Sequence, residues 1–255
     1  MKCIWGGLLA LMVLTIPVWA ESKKDPDLLA IDATATYHGT DFSAEYTVVQ
    51  KKADQGESSL SLALFRRDDQ DKYVLVLLKP DSDRGKGVLR IGESLWKYFP
   101  DSRRFEVTSA KDQLQNSNVR FSDFDASTLA DDYEVIDRSK ADLGQFKTTV
   151  LTLKATNDHV TFPKVVLWVT SDHLVRKRQD FSLSGQLLRT SAIPAYSKIG
   201  PRAVPKAIII LDELSGKTVN GRFINDRTLV TISKPAFERL SDLTFSQAYL
   251  EKLGR

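Results

Sequence analysis

The side chains most able to do chemistry in this sequence are three histidines and two adjacent pairs of aspartates. His38, His159 and His173 are scattered, and no two of them have the short spacing typical of shared zinc ligands. Asp68-Asp69 and Asp131-Asp132 could offer the carboxylates of a glycosidase, but adjacent residues of a strand point to opposite faces. We therefore interpret all of them as surface or turn residues.

Other signatures of catalysis are also weak. No serine lies in a Gly-x-Ser-x-Gly pattern. Residues 83–87, Asp-Arg-Gly-Lys-Gly, have the composition of a phosphate loop, yet they lead into the strand pattern of residues 88–91 instead of a helix. The only cysteine is Cys3, which excludes a disulfide framework or a cysteine nucleophile from the rest of the chain. We expect no enzymatic activity, no metal site and no cofactor.

The first twenty residues have the layout of a secretory signal peptide. Lys2 precedes an apolar run over residues 8–18, and Val18-Trp19-Ala20 places small residues where a signal peptidase cleaves. A membrane anchor is the alternative, but the run is shorter than the roughly 20 residues of a full span. Because Cys3 precedes the run, a lipid anchor is not expected. The sequence predicts cleavage after residue 20 and a periplasmic protein.

The remaining residues, 21–255, are predicted to form one domain of ordinary composition. Hydrophobic residues make up 42% and charged residues 27% of the chain, and the formal net charge is only +3. Nucleic-acid binding usually needs a concentrated positive charge, so we expect no nucleic-acid partner.

The hydrophobic pattern predicts a short helix followed by many antiparallel strands. A helix is expected over residues 27–38, capped by Asp27 and ended by Gly39. Apolar and polar residues then alternate with the period of two that is typical of half-buried strands. The predicted strands cover residues 42–48, 60–64, 73–78, 88–91, 95–99, 103–108, 146–153, 164–170, 175–183, 187–193, 207–211, 222–224 and 229–233.

Three segments break this rhythm. Residues 109–132 are polar and long for a connection, which is typical of functional or mobile loops. Residues 194–205 are rich in proline and are interpreted as a change of direction and not as a domain boundary. From Pro235 onward, the spacing of Phe237, Leu240, Leu243 and Phe245 predicts a helical tail.

The middle of the chain resembles the outer-membrane lipoprotein-sorting protein family, the relatives of the periplasmic lipoprotein carrier LolA. The resemblance spans roughly residues 40–235 and rests on five motifs that occur in order. They are Tyr73-Val74-Leu75-Val76-Leu77-Leu78-Lys79-Pro80, Asp83-Arg84-Gly85-Lys86-Gly87, Leu95-Trp96-Lys97-Tyr98-Phe99-Pro100 with Ser102-Arg103-Arg104, Leu114-Gln115-Asn116-Ser117 with Phe121-Ser122-Asp123-Phe124, and Asp132-Tyr133-Glu134.

This resemblance implies a mainly β protein with some α-helix. The expected architecture is an incomplete antiparallel β-barrel, a curved sheet with a helical lid over an apolar cavity. In the carrier such a cavity holds the acyl chains of lipoproteins. The lid-locking contacts of the carrier have no residue-by-residue match in this sequence.

Alternation along the strands nominates the cavity lining, and the loop at 109–132 nominates the lid. An equally good interpretation of the lining residues is that they form an ordinary core. The candidate lining residues are Leu60, Leu62, Leu64, Leu75, Leu77, Trp96, Tyr98, Leu151, Leu153 and Trp168. The candidate lid residues are Leu114, Phe121, Phe124 and Leu129.

The leading hypothesis is a monomeric periplasmic carrier that shields the acyl chains of a lipid or lipoprotein. Its further partners would be an inner-membrane exporter or an outer-membrane acceptor. The alternative is a sensor or exporter-accessory protein with the same fold and no transported cargo.

Overall fold

A computed structural model of the protein describes residues 24–52 and 55–253. The predicted signal segment, residues 1–20, lies outside the described residues. Within those residues, no helix combines the length and the apolar character that crossing a bilayer requires.

One large antiparallel sheet dominates the described chain. It has thirteen strands in the order β6-β5-β4-β3-β2-β1-β15-β14-β11-β10-β9-β8-β7, and β12 and β13 form a separate two-stranded sheet. The strands are β1 Phe42–Lys52, β2 Gly56–Arg67, β3 Lys72–Lys79, β4 Gly87–Ile91, β5 Ser94–Phe99, β6 Arg104–Val107, β7 Tyr133–Leu143, β8 Phe146–Ala155, β9 Lys164–Val169, β10 Val175–Phe181, β11 Leu187–Ala192, β12 Tyr196–Ile199, β13 Arg202–Pro205, β14 Ala207–Val219 and β15 Arg222–Phe237.

The order of the strands follows from short turns. Most sequence neighbours pair as hairpins, since two antiparallel strands need only a tight connection. Two pairings join strands that are not neighbours in sequence: β11 pairs with β14, and β1 pairs with β15, with Phe42 opposite Phe237 and Val48 opposite Val230. These pairings leave β6 and β7 as the two edges of the sheet.

Few helices accompany the sheet. Helix α1 spans Pro26–Ala35, with its first N–H groups donating to the side chain of Asp25 and with Leu28 and Ile31 buried. Helix α2, Leu129–Asp132, is a single turn, and α3 spans Gln247–Leu253. The 3-10 turns lie at Asp68–Gln70, Asp81–Asp83, Phe121–Phe124 and Asp242–Phe245.

The two faces of the sheet carry separate hydrophobic clusters. We call the face that carries Leu62, Leu64 and Leu75 the inner face; there they pack with residues from the segment between β6 and β7. On the outer face, Val74, Val76 and Tyr98 pack against Phe245 and Leu250 of the C-terminal segment. Strand β3 is apolar on both faces, and both of them are covered.

A buried ion pair fixes the C-terminal segment to the sheet. Arg67, only 1% exposed, donates from Nε and Nη2 to the two carboxylate oxygens of Asp41, each over 2.8 Å. Arg67 also donates to the carbonyl of Leu240 over 2.7 Å and pairs with Asp242. Burial alone would raise the pKa of Asp41, but the hydrogen bonds from Arg67 and Leu240 lower it below its usual value.

Most predicted strands are confirmed, the helical tail predicted from Pro235 is wrong, and one strand of the sheet is absent from the prediction. Strand β15 continues through Pro235 to Phe237, and helix begins only at Gln247, because the strand remains paired with β1. Residues 133–143 form strand β7, which pairs with β8, although the sequence pattern predicts no strand there. Residues 196–205 form the β12–β13 hairpin, and the strands on either side of it belong to the same large sheet.

Replacing Arg67 with Met is expected to lower the free energy of unfolding by about 3–5 kcal/mol, because Asp41 would stay buried without its partner. Chemical denaturation measures this loss. The matched control is Lys147→Met, which removes an exposed pair with Asp142 and should change stability by less than about 1 kcal/mol. Equal effects of the two substitutions would contradict the proposed role of Arg67.

Candidate functional site

A cavity of about 890 Å³ lies on the inner face of the sheet. Residues of α1, of the segment 108–133 and of the β8–β9 loop lie opposite the strands that form its wall. The cavity lining includes Ile31, Tyr37, Phe42, Tyr46, Arg66, Arg90, Val119, Asp123, Phe124, Asp125, Leu129, Tyr133, Phe162, Leu167, Val175, Arg178, Arg189, Ile193, Tyr196, Val204, Ile208, Ile210, Val230 and Ile232.

The wall of the cavity is apolar where strands β14 and β15 form it. Ile208 and Ile210 alternate along β14, and Val230 and Ile232 alternate along β15, so that all four side chains face the same side. Ile208 lies directly opposite Val230. This pairing sets a strip of branched aliphatic side chains along the middle of the sheet.

One end of the inner face is filled by the protein itself. Leu114, Val119, Phe121 and Phe124 pack on the leucines of β2 and β3 in a single cluster. Phe124 contacts the rings of Tyr46 and Tyr73, with centroid distances of 5.7 and 6.3 Å. The segment between β6 and β7 is thus a plug over this end of the sheet.

The other end is covered by helices α1 and α2. Leu28 and Ile31 of α1 pack with Leu129, Leu151 and Leu153 over strands β8 and β9. Residues of both covers line the cavity together with the strands of its wall.

Asp32 of α1 binds the start of α2. Its carboxylate accepts hydrogen bonds from the hydroxyl of Ser127 over 2.5 Å, from Leu129 N over 3.0 Å and from Ala130 N over 2.8 Å. Because these N–H groups open a helix, the carboxylate satisfies donors that the helix itself leaves unpaired. Asp32 thus adds hydrogen bonds to the apolar contacts that join the two helices.

A network of charged groups joins the plug to the sheet. Arg189 donates to both oxygens of Asp123, over 2.7 and 2.9 Å, and to Asp180 over 2.8 Å. Asp180 also accepts from Arg178 over 2.6 Å. Burial opposes ionisation of Asp123, but the guanidinium of Arg189 holds the pKa of this carboxyl below its usual value.

A second charged group lies closer to strand β4. Asp125 accepts from Arg90 over 2.7 Å through one oxygen, and its other oxygen, Oδ1, is buried without a hydrogen-bond donor in the described residues. Burial raises the pKa of Asp125 to about 7, and the opposing effect of Arg90 does not offset it. The cavity lining is therefore charged on the plug side and apolar along β14 and β15.

The ten residues nominated as cavity lining lie elsewhere. The five leucines of β2 and β3 lie under the plug, and Leu151 and Leu153 lie under α1 and α2. Trp96 and Tyr98 belong to the outer-face cluster, and Trp168 packs under Lys177 with Nζ 4.2 Å from the ring centroid. None of the ten is among the residues that line the cavity. A lipid-contacting role for them stays a prediction.

The four nominated lid residues all lie in the covers. Leu114 and Phe121 pack downward onto the sheet, while Phe124 and Leu129 also line the cavity. Whether this part of the chain moves as a lid stays a prediction.

The histidines considered as catalytic or metal-binding residues do not come together in the fold. His38 pairs with Asp69 over 2.8 Å, while exposed His159 borders the cavity. In the part of the chain that the structure describes, no three histidine, cysteine, aspartate or glutamate side chains meet as a metal site.

The sequence pattern does not predict the four arginines that line the cavity. Arg66, Arg90, Arg178 and Arg189 sit at inward positions of strands where the alternating pattern calls for apolar side chains. A basic residue at such a position is the signal that could have indicated a buried charge network.

The fold is similar to that of LolA superfamily and related proteins of known structure. The structure matches a LolA superfamily protein from Nitrosomonas europaea with a TM-score of 0.72 and 22% identity over 88% of this chain and 97% of the other. A putative outer-membrane lipoprotein-sorting protein domain from Vibrio parahaemolyticus matches with a TM-score of 0.75 and 15% identity, over 88% and 97% of the two chains. A DUF1329 family protein from Desulfovibrio piger gives the same TM-score and identity, over 88% and 96%.

The sequence itself matches a family model whose description reads only "Uncharacterized protein", over residues 69–252. Since this match spans more than two thirds of the chain, the protein belongs to that family. No curated protein matches the sequence.

The raised pKa of Asp125 should make the free energy of unfolding depend on pH. With its pKa raised to about 7, Asp125 binds a proton more tightly in the folded state than in the unfolded state, so its contribution to stability falls as pH rises from about 4 to about 7. The Asp125→Asn variant has no carboxyl group at this position and therefore lacks this pH dependence. Between about pH 5 and pH 8 the variant should gain about 2–4 kcal/mol relative to the unsubstituted protein, since a pKa difference of one corresponds to about 1.4 kcal/mol. Denaturant unfolding at both pH values measures the difference; a constant difference would contradict the assignment.

Replacing Arg189 with Met should loosen the plug, because Asp123 would lose its bidentate partner. Hydrogen exchange should become faster over residues 112–124 and stay unchanged in β2 and β3. Adding Asp123→Asn should restore part of the protection, since it removes the stranded charge. Lys154→Met, which removes an exposed pair with Glu134, is the control and should leave exchange in the plug unchanged.

Proposed function

We propose that this protein is a periplasmic carrier that binds a lipid or the acyl chains of a lipoprotein in the inner-face cavity. The fold supports this proposal, because its neighbours of known structure include a LolA superfamily protein and a putative outer-membrane lipoprotein-sorting protein domain. The predicted signal segment supports a periplasmic location.

The cavity is the observation that carries the proposal. At about 890 Å³ it falls in the range of roughly 300–1,000 Å³ that is common for small-molecule sites. The aliphatic strip of β14 and β15 offers a hydrocarbon chain a surface that water cannot hydrogen-bond. Each methylene group buried there contributes about 0.8 kcal/mol before ordering is counted.

The charged side of the cavity favours an amphiphile over a plain hydrocarbon. Arg178 and Arg66 line the same cavity as the aliphatic strip, and the side chain of Arg178 is 31% exposed. A ligand with an apolar chain and a polar head can place each part against a matching surface. A lipid or a lipid-modified protein has this chemistry.

The proposed role is binding and transfer without chemical change of the cargo. An inner-membrane exporter and an outer-membrane acceptor are the partners that such a role implies. The residues that this proposal places in contact with the cargo are the lining residues of β14 and β15 together with Phe124 and Leu129.

Filling the cavity should block binding. Ile208→Trp places a larger side chain at a partly buried lining position and should reduce uptake of a fluorescent fatty acid at least fivefold. Titration of the exported protein with the fatty acid measures this, alongside mass spectrometry of lipids extracted from protein purified from its native periplasm.

The matched control is Leu183→Trp, since Leu183 is 93% exposed and lies outside the cavity. This variant should bind the fatty acid as the unsubstituted protein does. If the unsubstituted protein neither contains lipid nor takes up the fatty acid, the carrier proposal is wrong. A sensor or exporter-accessory role would then be the better interpretation.

A further inference from the structure

The hairpin formed by β14 and β15 projects beyond its neighbours in the sheet. Strand β11 pairs with β14 as far as Asp212, and β1 pairs with β15 as far as Arg227. Residues 216–224 lie past both points, and we call them the arm. At about 3.3 Å per residue, the tip at Arg222 lies roughly 16 Å beyond Arg227.

Hydrogen bonds and a close approach of the two strands fix the base of the arm. Asp212 accepts from Leu214 N over 2.9 Å, and its carbonyl accepts from the side chain of Asn225 over 2.8 Å. A Cβ at Gly216 would collide with the carbonyl oxygen of Ile224, so the strands approach closely only because residue 216 is glycine.

The tip is a tight two-residue turn. Asn220 and Gly221 both have positive φ, 50° and 76°, as the favoured hairpin turns require. The residues at the turn and at Gly216 therefore favour this hairpin conformation of the arm.

The arm exposes apolar side chains on both of its faces. Val219 and Ile224 lie on one face, at 40% and 46% exposure, and Phe223 lies on the other at 50%. Docking against a protein would bury one face and leave the other in water. Insertion between lipid headgroups covers both faces at once.

The positive charges of the arm indicate a negatively charged partner. Lys217 and Arg222 flank the apolar residues, and residues 216–224 contain no aspartate or glutamate. Lys217 lies opposite Ile224 and Arg222 opposite Val219, so each cation shares a face with an apolar side chain. Long basic side chains can keep their charge among headgroups while their neighbours enter the acyl region.

We propose that the arm docks the protein on an anionic lipid membrane. The aliphatic wall of the cavity and the arm are built from the same two strands, so docking holds the cavity at a fixed distance from the bilayer. The proposal does not depend on the cavity holding a lipid.

Flotation with vesicles tests the proposal. The exported protein is mixed with vesicles of phosphatidylcholine alone or with phosphatidylglycerol added. We expect binding to the anionic vesicles that is at least tenfold stronger than binding to the neutral ones, and that weakens with added salt.

Two variants of the arm separate its charges from its apolar residues. Lys217→Glu with Arg222→Glu, and Val219→Ser with Ile224→Ser, should each reduce binding to anionic vesicles about tenfold or more. The control for charge is Lys140→Glu with Lys198→Glu, and the control for apolar surface is Ile136→Ser, which is 54% exposed on β7. Both controls should bind as the unsubstituted protein does, and all variants should unfold at the same temperature.

Several outcomes would overturn the proposal. They are an absence of vesicle binding, equal binding to both compositions, or equal loss in the controls. If the arm variants instead change a dimer to a monomer in light scattering while vesicle binding stays the same, the arm joins two copies of this chain. Fatty-acid uptake by the arm variants should remain normal, which separates this test from that of the carrier function.

Discussion

The constraint that governs this structure is that an extended sheet has two faces and both need cover. With thirteen strands, the inner face is wider than any single helix in residues 24–52 and 55–253 could bury. The chain meets this need with two separate covers, the plug between β6 and β7 and the pair α1 and α2. Because the covers rest on opposite ends, the middle of the face remains as a cavity. The cavity is a consequence of how the two covers divide the burial of this face.

The charged networks follow from the same arrangement. A cover that is held only by apolar contacts can slide, since hydrophobic burial has no direction. Bidentate hydrogen bonds between Arg189 and Asp123 have a strict geometry and fix the plug in one place. Asp32 does the same for α2 by accepting three hydrogen bonds. These contacts place charge beside the cavity, so its lining combines apolar and ionic surface.

Much of the fold could be predicted from the sequence, and less of the site. Alternation identifies most strands because its period of two reports the pleat directly. It identifies inward faces only locally: Leu62 and Leu75 do lie on the inner face, but a plug that is distant in sequence covers them. Trp96 and Tyr98 show a second limit, since β5 is apolar on both faces and alternation alone does not tell inner from outer. Strand β7 was missed because most of its residues are polar and exposed, as an edge strand permits.

The open edges of the sheet affect the tendency of this protein to aggregate at high concentration. An edge strand offers free N–H and C=O groups to any passing strand, including that of a second copy. Strand β6 offers only four residues. Strand β7 is longer but carries Glu134, Asp137, Arg138, Lys140 and Asp142, whose charges would have to be desolvated in a continuous intermolecular sheet. Stacking of copies edge to edge into fibres is thereby disfavoured, although the sheet stays open at both edges.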